Sequence, residues 1–241
     1  MFVHYRTKGF IFKKVDRSEA DQLFSIFTKE FGGLKILGRG IRKTTSKLRS
    51  GIDVFYLSEI EFIQGKRYKT LTDAIKINDF KYIRKDLDRL EIAYKIGQAL
   101  DDLIKGEEKD DNIWNLLLEV FEKLDDLNFK NPDLLYYYFF WNFLSLLGYQ
   151  LDVYNCSNCE EKLKPEQLYF HLKKSSIVCG NCIDKDSVEK IIPEIVKILR
   201  IILKRDIKTI SKLITKDKHI KSLSEISKNY YSFVLNLSGQ A

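Results

Sequence analysis

Little in this chain of 241 residues supports enzymatic chemistry. It contains three histidines, His4, His171 and His219, none with an evident catalytic neighbour. It also lacks G-x-S-x-G, H-E-x-x-H and the H-x-E of zinc deaminases, which excludes those hydrolytic designs. The segment Gly33 to Gly40, "GLKILGRG", resembles a phosphate loop only superficially, because the Lys-Ser/Thr that would hold phosphate and magnesium is missing. Acidic pairs such as Asp101/Asp102 fall on helical surface positions and are expected to be solvated.

Long apolar runs are missing too. The most apolar stretch, Leu134 to Leu147 in "PDLLYYYFFWNFLSLLGY", is shorter than the roughly 20 residues a bilayer needs and is interrupted by Asn142 and Ser145. It reads as a buried helix, with Asn131 as cap, Pro132 as first helical residue and Gly148 as stop. The N-terminal "MFVHYRTKGFIFKK" alternates apolar and polar residues and does not read as a signal peptide, so a cytoplasmic product without membrane partners is expected. No low-complexity linker or internal repeat interrupts the pattern, and 44% hydrophobic content suffices for a packed core.

Cysteine is scarce and concentrated. All four lie in "CSNCEEKLKPEQLYFHLKKSSIVCGNC", as two C-x2-C pairs, Cys156/Cys159 and Cys179/Cys182. Each pair fits a tight turn that aims two thiolates at one point, and four thiolates complete a tetrahedron around Zn2+ with no position left for water. The expected metal is therefore a single structural zinc ion. The alternatives are two disulfides, which a reducing cytosol opposes, and redox motifs, which the lack of a surrounding βαβ pattern opposes. Between the pairs, "LYFHL" reads as a strand, "KKSS" as a turn and "IVCGNC" as the returning strand of a zinc ribbon. His171 is expected at the surface, since four thiolates already satisfy the metal. Lys162, Lys164, Lys173 and Lys174 either offset the negative charge of the centre or are plain solvated lysines.

Charge divides the chain into three parts. Residues 1–80 carry a net +7, residues 81–152 a net −6 and residues 153–241 a net +6, so the overall +7 hides two basic regions around an acidic one. The first region is strand-like, with short β-branched and aromatic runs punctuated by glycine. Four or five strands in about 80 residues suggest a small barrel, an OB-fold in preference to an SH3-like one. From about Lys81 the period becomes helical: Ile83, Leu87, Leu90, Ala93, Ile96, Leu100 and Leu103 mark one face of a helix ending near Gly106, and a second spans about Ile113 to Leu127. After the ribbon, "SVEKIIPEIVKILRIIL" and the residues to Leu235 read as helical again. The expected fold class is α+β: an OB-fold nucleic-acid-binding domain over 1–80, then a helical domain over 81–241 with the zinc ribbon inserted at about 153–187.

The segment "KILGRGIRKTTSKLRSGI" holds Lys35, Arg39, Arg42, Lys43, Lys47 and Arg49 without one acidic residue, and Thr44, Thr45 and Ser46 add neutral donors. Such a segment suits phosphate backbone and does not read sequence. Phe10 and Phe12, alternating along the first strand, are candidates for base stacking, though aromatics at that spacing equally fill a barrel core. A second basic set, Arg200, Lys204, Lys208, Lys212 and Lys216, recurs every four residues, but Asp206 falls where the apolar face should continue, so the helix is expected to break there.

The order barrel, helices, C-x2-C ribbon, helices resembles the DNA repair protein RecO family of bacterial recombination mediators, over essentially the whole chain. Gly40, Arg42, Lys43, Ser46 and Leu48 match what looks like that family's G-x-R-K…S-x-L segment, and "YFHLKKSSIVCGNC" is similar to its ribbon hairpin. The ribbon turn departs from the family's commonly glycine-rich one, being Lys173, Lys174, Ser175 and Ser176. The resemblance implies a non-enzymatic, nucleoid-associated protein that binds single- and double-stranded DNA and anneals complementary strands. It also implies action with RecR and single-stranded-DNA-binding protein, and help in loading RecA. The competing reading is an RNA-binding or transcription-associated module built from an OB barrel and a zinc ribbon.

Overall fold

The computed structural model describes residues 3–65, 67–183 and 188–238. By packing, the chain divides into two compact units, Met1–Leu127 and Asn128–Ala241.

The first unit opens with five strands: β1 His4–Asp16, β2 Gln22–Thr28, β3 Gly32–Gly38, β4 Leu57–Ile63 and β5 Lys69–Asn78. They form a closed barrel in the order β1-β2-β3-β5-β4, with β4 returning to β1. Closure between β3 and β5 is parallel and short, pairing Ile36 with Lys69 and Leu37 with Thr70 among the described residues. This is the OB-fold, whose closure leaves no free edge. Alternation along the strands sends Phe24, Ile26, Leu34, Ile36, Ile60 and Phe62 into the barrel interior.

Two helices complete this unit, α1 Leu87–Leu103 and α2 Asp111–Asp125. Each begins on an aspartate, Asp86 and Asp110, whose carboxylate accepts from the free N–H groups two and three residues on. Phe10 leaves the barrel interior to pack against Phe121 of α2, ring centroids 4.2 Å apart. Arg89, 5% exposed, donates through Nη1 to the carbonyls of Leu124 (2.6 Å) and Asp126 (2.9 Å), satisfying acceptors at the end of α2. The change of period near residue 80 thus marks the end of the barrel strands, while the packing unit runs on to Leu127 because α1 and α2 share its core.

The second unit contains α3 Pro132–Leu146, the strands β6 Asp152–Cys156, β7 Leu168–His171, β8 Ser176–Cys179 and β9 Val188–Ile191, then α4 Pro193–Leu203, α5 Ile207–Lys212 and α6 Asp217–Ser238. Ten of the fifteen residues of α3 are buried, as an all-round apolar helix requires. Asn142, 1% exposed, is a buried polar residue within its apolar run. Its Nδ2 donates to the Ile202 carbonyl at 3.0 Å, tying α3 to the end of α4. Asp206 caps α5, so the helical run breaks where the charge pattern placed the break.

The strands pair in the order β6-β8-β7-β9. Two features depart from the sequence reading. Val188–Ile191 is a strand, not the start of a helix, because Pro193 opens α4 and holds Ile192 extended at φ −78°, ψ 144°. His171 is buried at 5% exposure, not at the surface, because β7 is an interior strand of four. Residues 184–187, which the ribbon boundary at 187 includes, and the terminal 239–241 lie outside the described residues. Among the described residues no helix is long and apolar enough to cross a membrane.

Candidate nucleic-acid interface and metal centre

The segment between β3 and β4 owes its shape to its apolar residues. Ile41 (2% exposed) and Ile52 (4%) insert into the barrel core and Leu48 packs against it, so the residues between them turn outward. Gly40 adopts φ +63°, and its N–H donates to the Asp21 carboxylate at 2.7 Å, while Arg42 N–H donates to the Ala20 carbonyl at 3.0 Å. Two hydrogen bonds thereby fasten the loop to the β1–β2 turn. A single turn of 3-10 helix, Lys47–Ser50, closes it.

On this frame Arg39, Lys43, Lys47 and Arg49 are exposed and have no ion-pair partner among the described residues; Ser46 is half-buried. Arg42 is exposed but engaged: its guanidinium lies 3.0 Å from Asp16 and donates to the Ser18 carbonyl. Like charges held on an anchored loop create a positive potential that an anionic polymer relieves.

Lys35 stands apart from the loop. It projects from the outer face of β3 into a cleft of about 590 Å³ that also draws on Gln64, Arg67, Tyr68, Lys69 and Lys105. Of these only Lys35 was legible as a site residue. The others lie on the β4–β5 turn, at the start of β5 and after α1, and the signal that could have found them is the barrel topology, which brings that turn beside β3.

Phe10 and Phe12 are 1% and 6% exposed, so neither offers a face to a base. The side of β1 they occupy is covered: Phe10 meets Phe80 and Phe121 of α2, and Gly97 of α1 lies against Phe12.

The second basic set is split. Arg200 is committed within its own unit, donating to the Val153 carbonyl at 2.8 Å with its guanidinium 5.2 Å from the Tyr154 ring centroid. Lys204, Lys208, Lys212 and Lys216 are exposed, but they stand on either side of Asp206 and beyond α5, so they form no continuous helical stripe.

The four cysteines converge. Their Sγ atoms all lie within 4.8 Å of one another, and Cys159 and Cys179 are 4.0 Å apart. For Zn–S bonds of about 2.3 Å a tetrahedron places its sulfurs about 3.8 Å apart, so the donor set and its spacing fit one tetrahedral ion. The first knuckle is built by Cys156 N–H donating to Glu161 O (2.8 Å) and Glu160 N–H to Cys156 O (2.9 Å), with Glu160 at φ +60°. The second is the short 3-10 turn Gly180–Cys182. Burial raises the Cys156 pKa, but the backbone N–H groups of Cys159, Cys179 and Asn158 prevail and lower it to about 6. The neighbouring Cys179 and Cys159 push Cys182 up to about 12. Thiols that resist a second deprotonation in one another's presence are what a bound dication relieves.

The lysines around the centre divide between the two readings. Lys162 and Lys164 line the cleft beside the cysteines, whereas Lys174 donates to Asn158 Oδ1 at 2.6 Å, and Asn158 in turn donates to the Cys182 carbonyl. The hairpin turn forms without glycine because Ser175 takes the left-handed conformation, φ +47°. The ribbon is seated on the helices of its unit through Phe170, whose ring packs edge-on against both Trp141 and Tyr230. Tyr230 Oη donates to Ser175 Oγ at 2.7 Å, tying the same turn to α6.

This architecture agrees with what comparison with known proteins finds. The family model "Recombination protein O N terminal" matches residues 1–80 and "Recombination protein O C terminal" matches residues 84–239. The chain is similar to the DNA repair protein RecO of Dehalococcoides mccartyi, 30% identical over 209 residues that cover 87% of this chain and 82% of that protein. It is also similar to the DNA repair proteins RecO of Halalkalibacterium halodurans, 23% identical over 94% of this chain and 88% of the relative, and of Desulforamulus reducens, 24% identical over 96% and 90%. With both family models matched in order across the barrel and the ribbon-bearing unit, the chain belongs to the RecO family of DNA repair proteins.

Proposed function

We propose that the protein is a non-enzymatic recombination mediator that binds single- and double-stranded DNA, anneals complementary strands and helps RecA load onto strands coated by single-stranded-DNA-binding protein, acting with RecR in the cytoplasm at the nucleoid. The observation that carries the reading is the anchored loop of Arg39, Lys43, Lys47 and Arg49, exposed and without acidic partners among the described residues. The named protein partners rest on family membership alone.

Annealing needs no fuel. Two strands repel through their phosphates, and a protein that neutralises charge on both lowers that barrier while base pairing supplies the driving force. Lysine and arginine on a surface loop suit the task because their phosphate contacts are not tied to sequence, so strands can slide into register. In this reading Arg39, Lys43, Lys47 and Arg49 supply the contacts, Arg42 orients the loop through Asp16, and Ser46 adds a neutral donor.

Zinc is the metal that the four-cysteine site fits, and when bound it would hold the two knuckles together as a structural cross-link. Cys156, Cys159, Cys179 and Cys182 would be its ligands, with the hairpin β7–β8 between the pairs.

The test is annealing of two complementary fluorescent oligonucleotides by the purified protein, without ATP, across a salt series. Acceleration that fades as salt rises is expected. Tight binding without acceleration would sink the annealing reading and favour an RNA-binding or transcription-associated module.

A further inference from the structure

Base stacking, denied to Phe10 and Phe12, has another location in the barrel. Tyr68 lies on the turn between β4 and β5, half-buried, with the Arg17 guanidinium 5.8 Å and that of Arg67 5.5 Å from its ring centroid. Arg17 belongs to the β1–β2 turn, so Tyr68 sits where two loops of the barrel meet. The turn is set by Gly65: a Cβ there would run into the Tyr68 carbonyl, so a larger residue would push Tyr68 from its place.

Tyr68 lines the 590 Å³ cleft on the outer face of β3. That volume lies within the roughly 300–1,000 Å³ of sites for small ligands. The charges inside it are unevenly matched. Glu107 is taken up by Lys69 at 2.5 Å and Asp101 by Lys13 at 2.5 Å, while Lys35, Arg67 and Lys105 have no acidic partner among the described residues. A concave site with an aromatic wall, an amide at Gln64 and three uncompensated cations matches an unstacked base together with its flanking phosphates. A duplex, with its bases stacked and turned inward, offers no base to such a wall.

We propose that this cleft is a single-strand nucleotide site, in which Tyr68 stacks on one extruded base and Lys35, Arg67 and Lys105 hold the phosphates on either side. The proposal rests on the DNA-binding reading above and deepens it: the loop of Arg39 to Arg49 holds backbone of any form, and the Tyr68 cleft distinguishes single strands from duplex. Arg17, its guanidinium 5.8 Å from the ring centroid, pre-orients the ring, which limits the ordering cost of binding.

The experiment compares fluorescence-anisotropy affinities for a labelled oligothymidylate and for an abasic oligomer of the same length, at low salt. A base stacked on an aromatic ring is worth at least about fivefold in affinity, so the wild-type protein is expected to prefer the oligothymidylate by that factor or more. Tyr68→Ala is expected to bring the ratio near one, and Tyr68→Phe, which keeps the ring and the fold, to retain it. A wild-type ratio near one, or a Tyr68→Ala ratio equal to the wild-type value, would overturn the stacking site while the DNA-binding reading stands. Binding of neither oligomer by the wild-type protein would overturn both.

Discussion

Removing the four unpaired cations of the anchored loop, as Arg39→Ala/Lys43→Ala/Lys47→Ala/Arg49→Ala, tests the proposed backbone contacts through a quantity that can be worked out beforehand. Each phosphate contact to a single strand contributes about 0.7 to the slope of log affinity against log salt. Four contacts contribute about 2.8, so between 50 and 200 mM salt, a fourfold change, the wild-type protein should lose about 50-fold more affinity than the variant. Arg42→Ala should move the slope by less than one such step, because its guanidinium is already shared with Asp16 at 3.0 Å. Stability should change little, since the loop is held by buried Ile41 and Ile52 and the altered side chains are exposed, where substitutions usually stay within about 0.5 kcal/mol. The assay is anisotropy of a labelled oligonucleotide at a series of salt concentrations, with a thermal melt of each variant. An unchanged slope in the fourfold variant would refute the assignment.

The metal centre predicts about one zinc per chain by atomic absorption; Cys179→Ser should lose it and lower the melting temperature, and a metal-free wild-type protein that melts normally would count against the site. Arg89→Met should destabilise the first unit by about 3 kcal/mol in urea, because it removes two charge-assisted hydrogen bonds and leaves the Leu124 carbonyl buried without that donor. An alkaline weakness is expected in the second unit, where burial pushes Tyr136 up to about 12 and also raises Tyr230. An acid whose pKa is raised on folding ionises first in the unfolded chain, so stability is lost as pH rises above the ordinary tyrosine value near 10; Tyr136→Phe should recover about 1–2 kcal/mol at pH 11, and no recovery would refute the linkage. Asn142→Leu should cost about 2 kcal/mol by leaving the Ile202 carbonyl without its buried donor, read as a shifted urea midpoint at unchanged slope.

Local chemistry accounts for what the sequence made legible. Strand alternation and glycine punctuation reveal the barrel because each strand must send every second side chain inward. The cysteine pairs reveal their own convergence, since two knuckles of that spacing have few other uses. The break at Asp206 was readable for the same reason: an aspartate on an apolar helical face is costly, and the same residue two and three positions before free N–H groups is a cap. The strand Val188–Ile191 was misread as helix because its apolar residues continue the period of α4. The proline at 193, which disfavours helix in the residue before it, was the contrary signal.

What stayed hidden depends on distant partners. Phe10 is masked by Phe121, 111 positions away, and nothing near β1 announces that roof. His171 is buried because β9 covers one side of β7 and β8 the other, an arrangement that a two-stranded hairpin reading lacks. Tyr68 shows the converse case. A lone tyrosine in a turn has no pattern to betray it, yet the short parallel closure of β3 on β5 places that turn beside Lys35, and the β1–β2 turn delivers Arg17 to the same ring. The cations of the Arg39 to Arg49 loop could be found by counting charge along the chain, because they need only be exposed. The cleft could not, because a site that grips a base must enclose it, and enclosure requires segments that are far apart in sequence and adjacent only in the closed barrel.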